Sequence, residues 1–150
     1  MINYLRGNIF ENDADALVNP VNTEGVVGRG LAYDFAYFYP VEHKAYVEAC
    51  KDGTLHIGTV LPVRTNSNGR KRLIVYAPTK RLWRFPSTSV YIERTLEAIA
   101  YGFPTWGISS IAVPSLGCGL GGLSFQWLVK PLTEKYLCDL DGRVDVYLPS

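Results

Sequence analysis

Residues Ile111 to Leu123, IAVPSLGCGLGGL, run apolar and then break in a loop that carries four glycines. An apolar run closed by turn residues predicts a buried strand, and Ser124 with the apolar spacing after it predicts a helix start. Strand, glycine-rich loop and helix then follow one another. Such a loop can aim several backbone N–H groups at one anion, because glycine removes the side chains that would block approach. The helix behind it adds free N–H groups and the positive end of its dipole, and phosphate fits that chemistry. The plainer alternative is a turn that only packs a helix close to a sheet. No Gly-Lys-Ser/Thr follows, so this is not a P-loop, and it does not follow the first strand as the dinucleotide fingerprint does.

The rest of the chain alternates strands and helices around that unit. Ile2 to Leu5 and Ala14 to Val18 predict two strands, Gly58 to Val63 and Leu73 to Tyr76 two more around the turn Asn66-Ser67-Asn68-Gly69, and Val144 to Leu148 a last one. Leu31, Phe35 and Phe38 predict a helix that Pro40 ends while opening another, which runs to about Lys51. Ile92, Leu96, Ile99 and Phe103 mark a helix against the sheet. Phe125, Leu128, Val129, Leu132 and Tyr136 mark the final helix, with a kink expected at Pro131. The expectation is one domain over residues 1–150, a mixed, largely parallel six-stranded sheet covered on both faces.

Charge and cysteines narrow the setting. The net charge is +1, so any nucleic-acid contact has to be a local patch. Cys50, Cys118 and Cys138 are odd in number and far apart, which argues against a zinc site or a disulfide framework and fits a reducing cytoplasm. Neither a signal peptide nor a membrane-length apolar run is present, so a soluble intracellular protein without membrane contact is expected.

In sheets of this kind, ligands sit beyond the carboxyl ends of the strands. Three segments of unusual chemistry fall there. Asn19 to Gly30 supplies a second glycine-rich helix entry at Gly28-Arg29-Gly30; two such entries on one rim suit a diphosphate, and Asn22 suits a sugar hydroxyl or simply a turn. Arg29 reads as a solvated helix-start charge. In APTKRLWRFPS, Lys80 at the rim of an apolar cleft is a candidate nucleophile or proton carrier, although most lysines are only surface charge. Arg81, Trp83 and Arg84 have the composition that binds single-stranded nucleic acid by phosphate pairing and base stacking, or that covers a sheet edge. Pro114 to Gly122 is the third segment.

Together, "LVNPVNTEGVVGRGLA", "PTKRLWR" and "PSLGCGLGGL" resemble the macrodomain family, ADP-ribose-binding modules of three-layer α/β/α fold, over essentially the whole chain. The resemblance is narrower to the family's DNA ADP-ribosyl glycohydrolase branch, found in the antitoxins of DarT–DarG toxin–antitoxin pairs. It implies removal of ADP-ribose from thymidine in single-stranded DNA, with Lys80 and Asn22 catalytic and Asn22 holding the distal ribose. Ligand contacts would come from Asn8, Ile9, Asn19, Gly28, Gly30, Leu31, Pro114, Ser115, Leu116, Gly117, Cys118, Gly119, Leu120, Gly121 and Tyr147, and DNA contacts from Arg81, Trp83 and Arg84. Asn8 stands where the family has an Asp that contacts adenine, and could accept from the adenine amine. Tyr147 would line the adenine pocket or is a core tyrosine. Gly121 stands where related lysine-using members place an Asp, which leaves the acid or base to water or the substrate's phosphate. Glu24 replaces a small apolar residue and would narrow or repurpose one end of the cleft.

No metal or cofactor is implied, ADP-ribose being ligand and product. The implied partners are ADP-ribosylated single-stranded DNA and, directly only through a further C-terminal domain, a DarT-type toxin; a monomer is expected. Two other functions stay open: an ADP-ribose-binding module without turnover, and a hydrolase of ADP-ribose esters such as the 1″-phosphate or an O-acetyl form.

Overall fold

The computed structural model of the protein describes residues 1–65 and 71–150. The turn expected at Asn66 to Gly69 lies outside the described residues. In chain order the strands are β1 (Ile2–Leu5), β2 (Ala16–Asn22), β3 (Leu61–Thr65), β4 (Arg72–Lys80), β5 (Ser110–Val113) and β6 (Arg143–Tyr147), and the helices are α1 (Leu31–Phe38), α2 (Pro40–Lys51), α3 (Ser89–Gly102) and α4 (Lys130–Leu137). They form one sheet in the order β1-β6-β5-β2-β4-β3, parallel throughout except for the antiparallel edge strand β3. The expected mixed, largely parallel sheet is therefore what the chain builds.

Alternation along the strands divides the core into two layers. Ala16, Val18, Val75 and Val113 pack with Ile92, Leu96 and Ile99 of α3 and Leu137 of α4 on one face. Leu17, Val21, Ile74 and Tyr76 pack with Phe35 of α1 and Tyr46 of α2 on the other. That arrangement is a three-layer α/β/α sandwich. No helix among the described residues is long and apolar enough to cross a membrane.

Two strands run further than the sequence suggests, and proline explains the shortfall. β2 continues through Pro20 to Asn22 and β4 through Pro78 to Lys80. Proline interrupts a strand where its missing N–H is needed on a paired side. Here β5 pairs with β2 only at Ala16 and Leu17, and β3 pairs with β4 no further than Tyr76, so both prolines lie where one side of the strand is already unpaired. Asn19, Asn22 and Lys80 are strand residues rather than loop residues. The last helix also differs: it opens with a widened turn at Phe125–Val129, in which the Val129 N–H reaches the Ser124 carbonyl, and Pro131 sits at the start of regular α4 behind it. The irregularity therefore precedes the proline, which falls in the first turn of α4.

Candidate functional site

β2 and β5 are neighbours, yet the chain leaves them in opposite directions: β2 leads to α1 on one face and β5 to α4 on the other. This is the topological switch point of the sheet, where a crevice must open beyond the strand ends. A cleft of about 1260 Å³ lies there. One wall is Val26 to Ala32, the other Pro114, Ser115 and Gly117 to Gly121; the floor is Pro20 to Asn22 with Thr79 and Lys80. Asn8, Ile9 and Tyr147 line it at the β1 and β6 ends, and Lys80, Trp83 and Arg84 at the β4 end. Four strand spacings of about 4.8 Å separate β1 from β4, so the cleft spans roughly 19 Å across the sheet.

The first wall is organised by a side chain. Asn22 Oδ1 accepts from the backbone N–H groups of Glu24 (3.0 Å), Gly25 (3.1 Å) and Val26 (3.4 Å), while Nδ2 donates to the Val26 carbonyl (2.8 Å). From behind, the buried Tyr46 hydroxyl donates to Asn22 O and Oδ1 at 2.8 and 3.1 Å. Burial raises the Tyr46 hydroxyl pKa, with Cys50 adding to it, so the group stays a donor. Asn22 thus folds its own loop and has one N–H left for a ligand. The wall ends at Gly30, whose φ of 82° favours a residue without Cβ, and Leu31 and Ala32, whose N–H groups have no acceptor within the first turn of α1, line the cleft behind it.

Backbone turns and close fit organise the second wall. Cys118 N–H donates to Ser115 O, Gly122 N–H to Gly119 O and Leu123 N–H to Gly117 O, and the Gly121 carbonyl accepts from Ser87 N–H. The N–H groups of Gly119, Leu120 and Gly121 have no partner among the described residues. The helix after this loop does not reach the cleft: it begins at Phe125 and is capped by Ser124. Of the two helix entries expected at the rim, only that of α1 lines it, and on this side the loop itself offers the donors.

A Cβ at Gly121 would lie 2.5 Å from the Gly117 carbonyl oxygen and 2.6 Å from Ser87 Oγ, so no aspartate fits there without moving the backbone. At Gly119 nothing lies within 4 Å of an added Cβ. Burial pushes the Cys118 thiol up to about 11, which keeps it protonated at neutral pH.

Lys80 closes β4. A register shift between Val21 and Asn22 skips Thr79 and sets Lys80 opposite Asn22, a bulge that re-aims the side chains at the strand end. Lys80 Nζ donates to the Trp83 carbonyl (3.2 Å) and the Leu120 carbonyl (3.3 Å), tying the β4 end to the second wall. Among the described residues it joins no ion pair, and burial lowers its pKa from 10.5.

Three of the expected site residues do not line the cleft. Asn19 is 1% exposed and, with Leu17 and Val21, faces the α2 layer; Leu116 is fully buried in the opposite core layer. Asn19 lies inside β2 rather than in a loop, and Leu116 belongs to the loop after β5 but turns its side chain into the core. Arg81 is exposed outside the cleft, its carbonyl bound by Thr23. Asn8 does line it, but its Oδ1 already accepts from Phe10 N–H (2.9 Å) as the cap of a short turn. Tyr147 lines it too, its hydroxyl accepting from Asn12 Nδ2 at 3.1 Å. Asp34 and Phe38 line the cleft unforeseen; with Leu31 they form a stripe spaced by three and four on α1, a signal overlooked because Phe35 on the core side has the same period.

A crevice at the switch point of an α/β sheet, walled by two glycine-rich loops whose N–H groups are partly unpaired among the described residues, has the chemistry to hold an anion such as a diphosphate. The Macro domain family model matches residues 18–130, and the chain belongs to the macrodomain family. It is 39% identical over 150 residues to a DNA ADP-ribosyl glycohydrolase of Thermus aquaticus, covering 99% of this chain and 41% of that protein. Among solved structures, the macrodomain of Thermus aquaticus DarG superposes with a TM-score of 0.93 at 38% identity, covering 99% of each chain. Thermosipho africanus DarTG in complex with ADP-ribose superposes at 0.92 with 34% identity over 99% of this chain and 41% of that one. The chain spans about two-fifths of the length of these curated relatives.

Proposed function

We propose that this macrodomain is a DNA ADP-ribosyl glycohydrolase that removes ADP-ribose from thymidine in single-stranded DNA. The observation that carries the reading is Lys80: a partly buried amine that joins no carboxylate among the described residues, placed by a bulge at the end of a cleft whose middle offers unpaired backbone N–H groups to a diphosphate. The diphosphate would sit between the α1 N-terminus and the N–H groups of Gly119 to Gly121. Adenine would lie toward Asn8, Ile9 and Tyr147, and the distal ribose toward the remaining Asn22 N–H and Lys80. The scissile bond then faces the rim that carries Trp83 and Arg84, where a DNA strand could stack and pair its phosphates.

Breaking a bond between ribose C1″ and a thymine nitrogen builds positive character on the sugar and negative character on the base. A lysine whose charged form is disfavoured can attack as the neutral amine. Nζ bonds to C1″ as the C1″–N bond breaks; the base leaves with the electron pair and takes a proton from water. Opening of the C1″–O4″ bond moves one Nζ proton to O4″ and leaves an imine, which water hydrolyses to ADP-ribose and free lysine. The closed fit at Gly121 rules out a carboxylate from that position, so water or the substrate's own phosphate carries the remaining protons.

Three free cysteines are consistent with action in a reducing cytoplasm. A related protein is a DNA ADP-ribosyl transferase–DNA ADP-ribosyl glycohydrolase fusion, which supports a DarT-type transferase as the source of the substrate. The direct test is incubation with a thymidine-ADP-ribosylated oligonucleotide while following release of ADP-ribose. Release is expected. Tight binding of ADP-ribose without release would leave a binding module, and release only from the 1″-phosphate or O-acetyl ester would leave an esterase.

A further inference from the structure

We propose that Glu24 is a positioning residue, its carboxylate holding the Arg81 to Phe85 loop in place at the DNA end of the cleft while Lys80 acts on substrate. The proposal rests on the reading of that rim as the DNA side.

Arg81, Leu82, Trp83, Arg84 and Phe85 are all exposed, with Trp83 at 51% and Phe85 at 55%, so burial of their side chains does little to fix the segment. Hydrogen bonds from the first wall do so instead. Thr23 donates to the Arg81 carbonyl twice, from N–H at 3.2 Å and from Oγ1 at 2.9 Å. Glu24 Oε1 accepts from the Trp83 N–H at 2.8 Å. The Trp83 carbonyl is held from the other side by Lys80 Nζ at 3.2 Å. One residue is therefore gripped at both backbone groups, by a carboxylate outside the cleft and by the reactive amine inside it.

The two grips differ in what catalysis does to them. An amine that bonds to C1″ is drawn toward the sugar it attacks and away from the Trp83 carbonyl, whereas the Thr23 bonds to the Arg81 carbonyl and the Glu24 bond to the Trp83 N–H ask nothing of the reacting group. Glu24 takes no part in the chemistry and does not line the cleft, so its grip persists through the step. A hydrogen bond to an ionised acceptor is the stronger kind, and a small apolar residue at this position could not reach the Trp83 N–H at all. The departure at position 24 is thus explained by the loop it holds.

The test compares Glu24→Ala with Glu24→Gln, because glutamine keeps an acceptor oxygen at the same reach and removes only the charge. With a thymidine-ADP-ribosylated oligonucleotide, Glu24→Ala should raise KM by about tenfold with kcat less affected, the size of a lost hydrogen bond to a charged group. Glu24→Gln should restore most of the loss, and free ADP-ribose should bind both variants as it binds the parent. Amide hydrogen exchange over residues 81–86 should speed up in Glu24→Ala and stay slow in Glu24→Gln. A parent protein that releases no ADP-ribose from DNA would sink the DNA reading, and the exchange comparison then decides the clasp by itself. Unchanged exchange in Glu24→Ala, glutamine as damaging as alanine, or an equal loss of affinity for free ADP-ribose would each overturn the proposal.

Discussion

The two walls of the cleft do the same work by opposite means. On the first, a side chain reaches into the loop: Asn22 supplies the acceptor for three consecutive N–H groups, and Tyr46 fixes Asn22 from the core. On the second, side chains are kept out, since the loop closes on its own carbonyls and a Cβ at Gly121 would lie 2.5 Å from the Gly117 carbonyl oxygen. A loop held by one side chain fails when that side chain is removed, whereas a loop held by close fit fails when an atom is added. Lys80 lies between the two, its amine on the Leu120 carbonyl of the second wall and on the Trp83 carbonyl of the loop clasped to the first.

Removing the amine that bridges them should have the largest effect. Lys80→Ala is expected to lower the rate of ADP-ribose release from DNA by a factor of about 10² or more, with free ADP-ribose bound almost as before. In the parent, the neutral fraction of the amine grows with pH, so the rate should rise as pH climbs toward the lowered pKa and level off below 10.5. A rate that falls over that range would assign the work to the ammonium. Next comes Gly119→Glu, which has room to fold because nothing lies within 4 Å of an added Cβ, yet places a carboxylate where the diphosphate should bind. Calorimetry should find ADP-ribose affinity lost; unchanged affinity in a folded variant would move the diphosphate out of this wall.

The opposed designs of the walls are tested by a pair of smaller changes. Asn22→Ala should cost about 1–3 kcal/mol, because the Glu24 and Gly25 N–H groups lose their acceptor. Gly121→Ala should cost a similar amount, about 1–3 kcal/mol, through overpacking against the Gly117 carbonyl. Urea unfolding measures both, and a neutral result for either would break the contrast. Smallest is Arg84→Ala, which should flatten the salt dependence of oligonucleotide binding by about 0.7 in slope while leaving ADP-ribose affinity alone. Equal loss for both ligands would place Arg84 in the ADP-ribose site.

Much of this was legible in the sequence because glycine and periodic apolar residues report directly on backbone geometry. The two glycine-rich segments, the helix at Leu31 and the buried strand at Ile111 follow from such local patterns. What stayed hidden depends on pairing between distant segments. Pro20 and Pro78 look like strand breakers until the partners that stop short of them are known, so Asn19 and Lys80 are assigned to loops. The bulge that sets Lys80 opposite Asn22 is a property of two strands and leaves no mark on either. Asn22 reads as a ligand group because its residue type suits one; that the same amide is mostly spent on its own loop needs coordinates. The same holds for Glu24, visible as an oddity but explained only by the N–H of Trp83, 59 residues away.

Crystals of the Lys80→Ala protein with ADP-ribose give the most direct test of how the cleft is used. The diphosphate should lie between the first turn of α1 and the Gly119 to Gly121 N–H groups, adenine toward Asn8 and Tyr147, and C1″ within bonding reach of where Lys80 Nζ stands in the parent. A ligand lying the other way round, with adenine at the Lys80 end, would contradict the account.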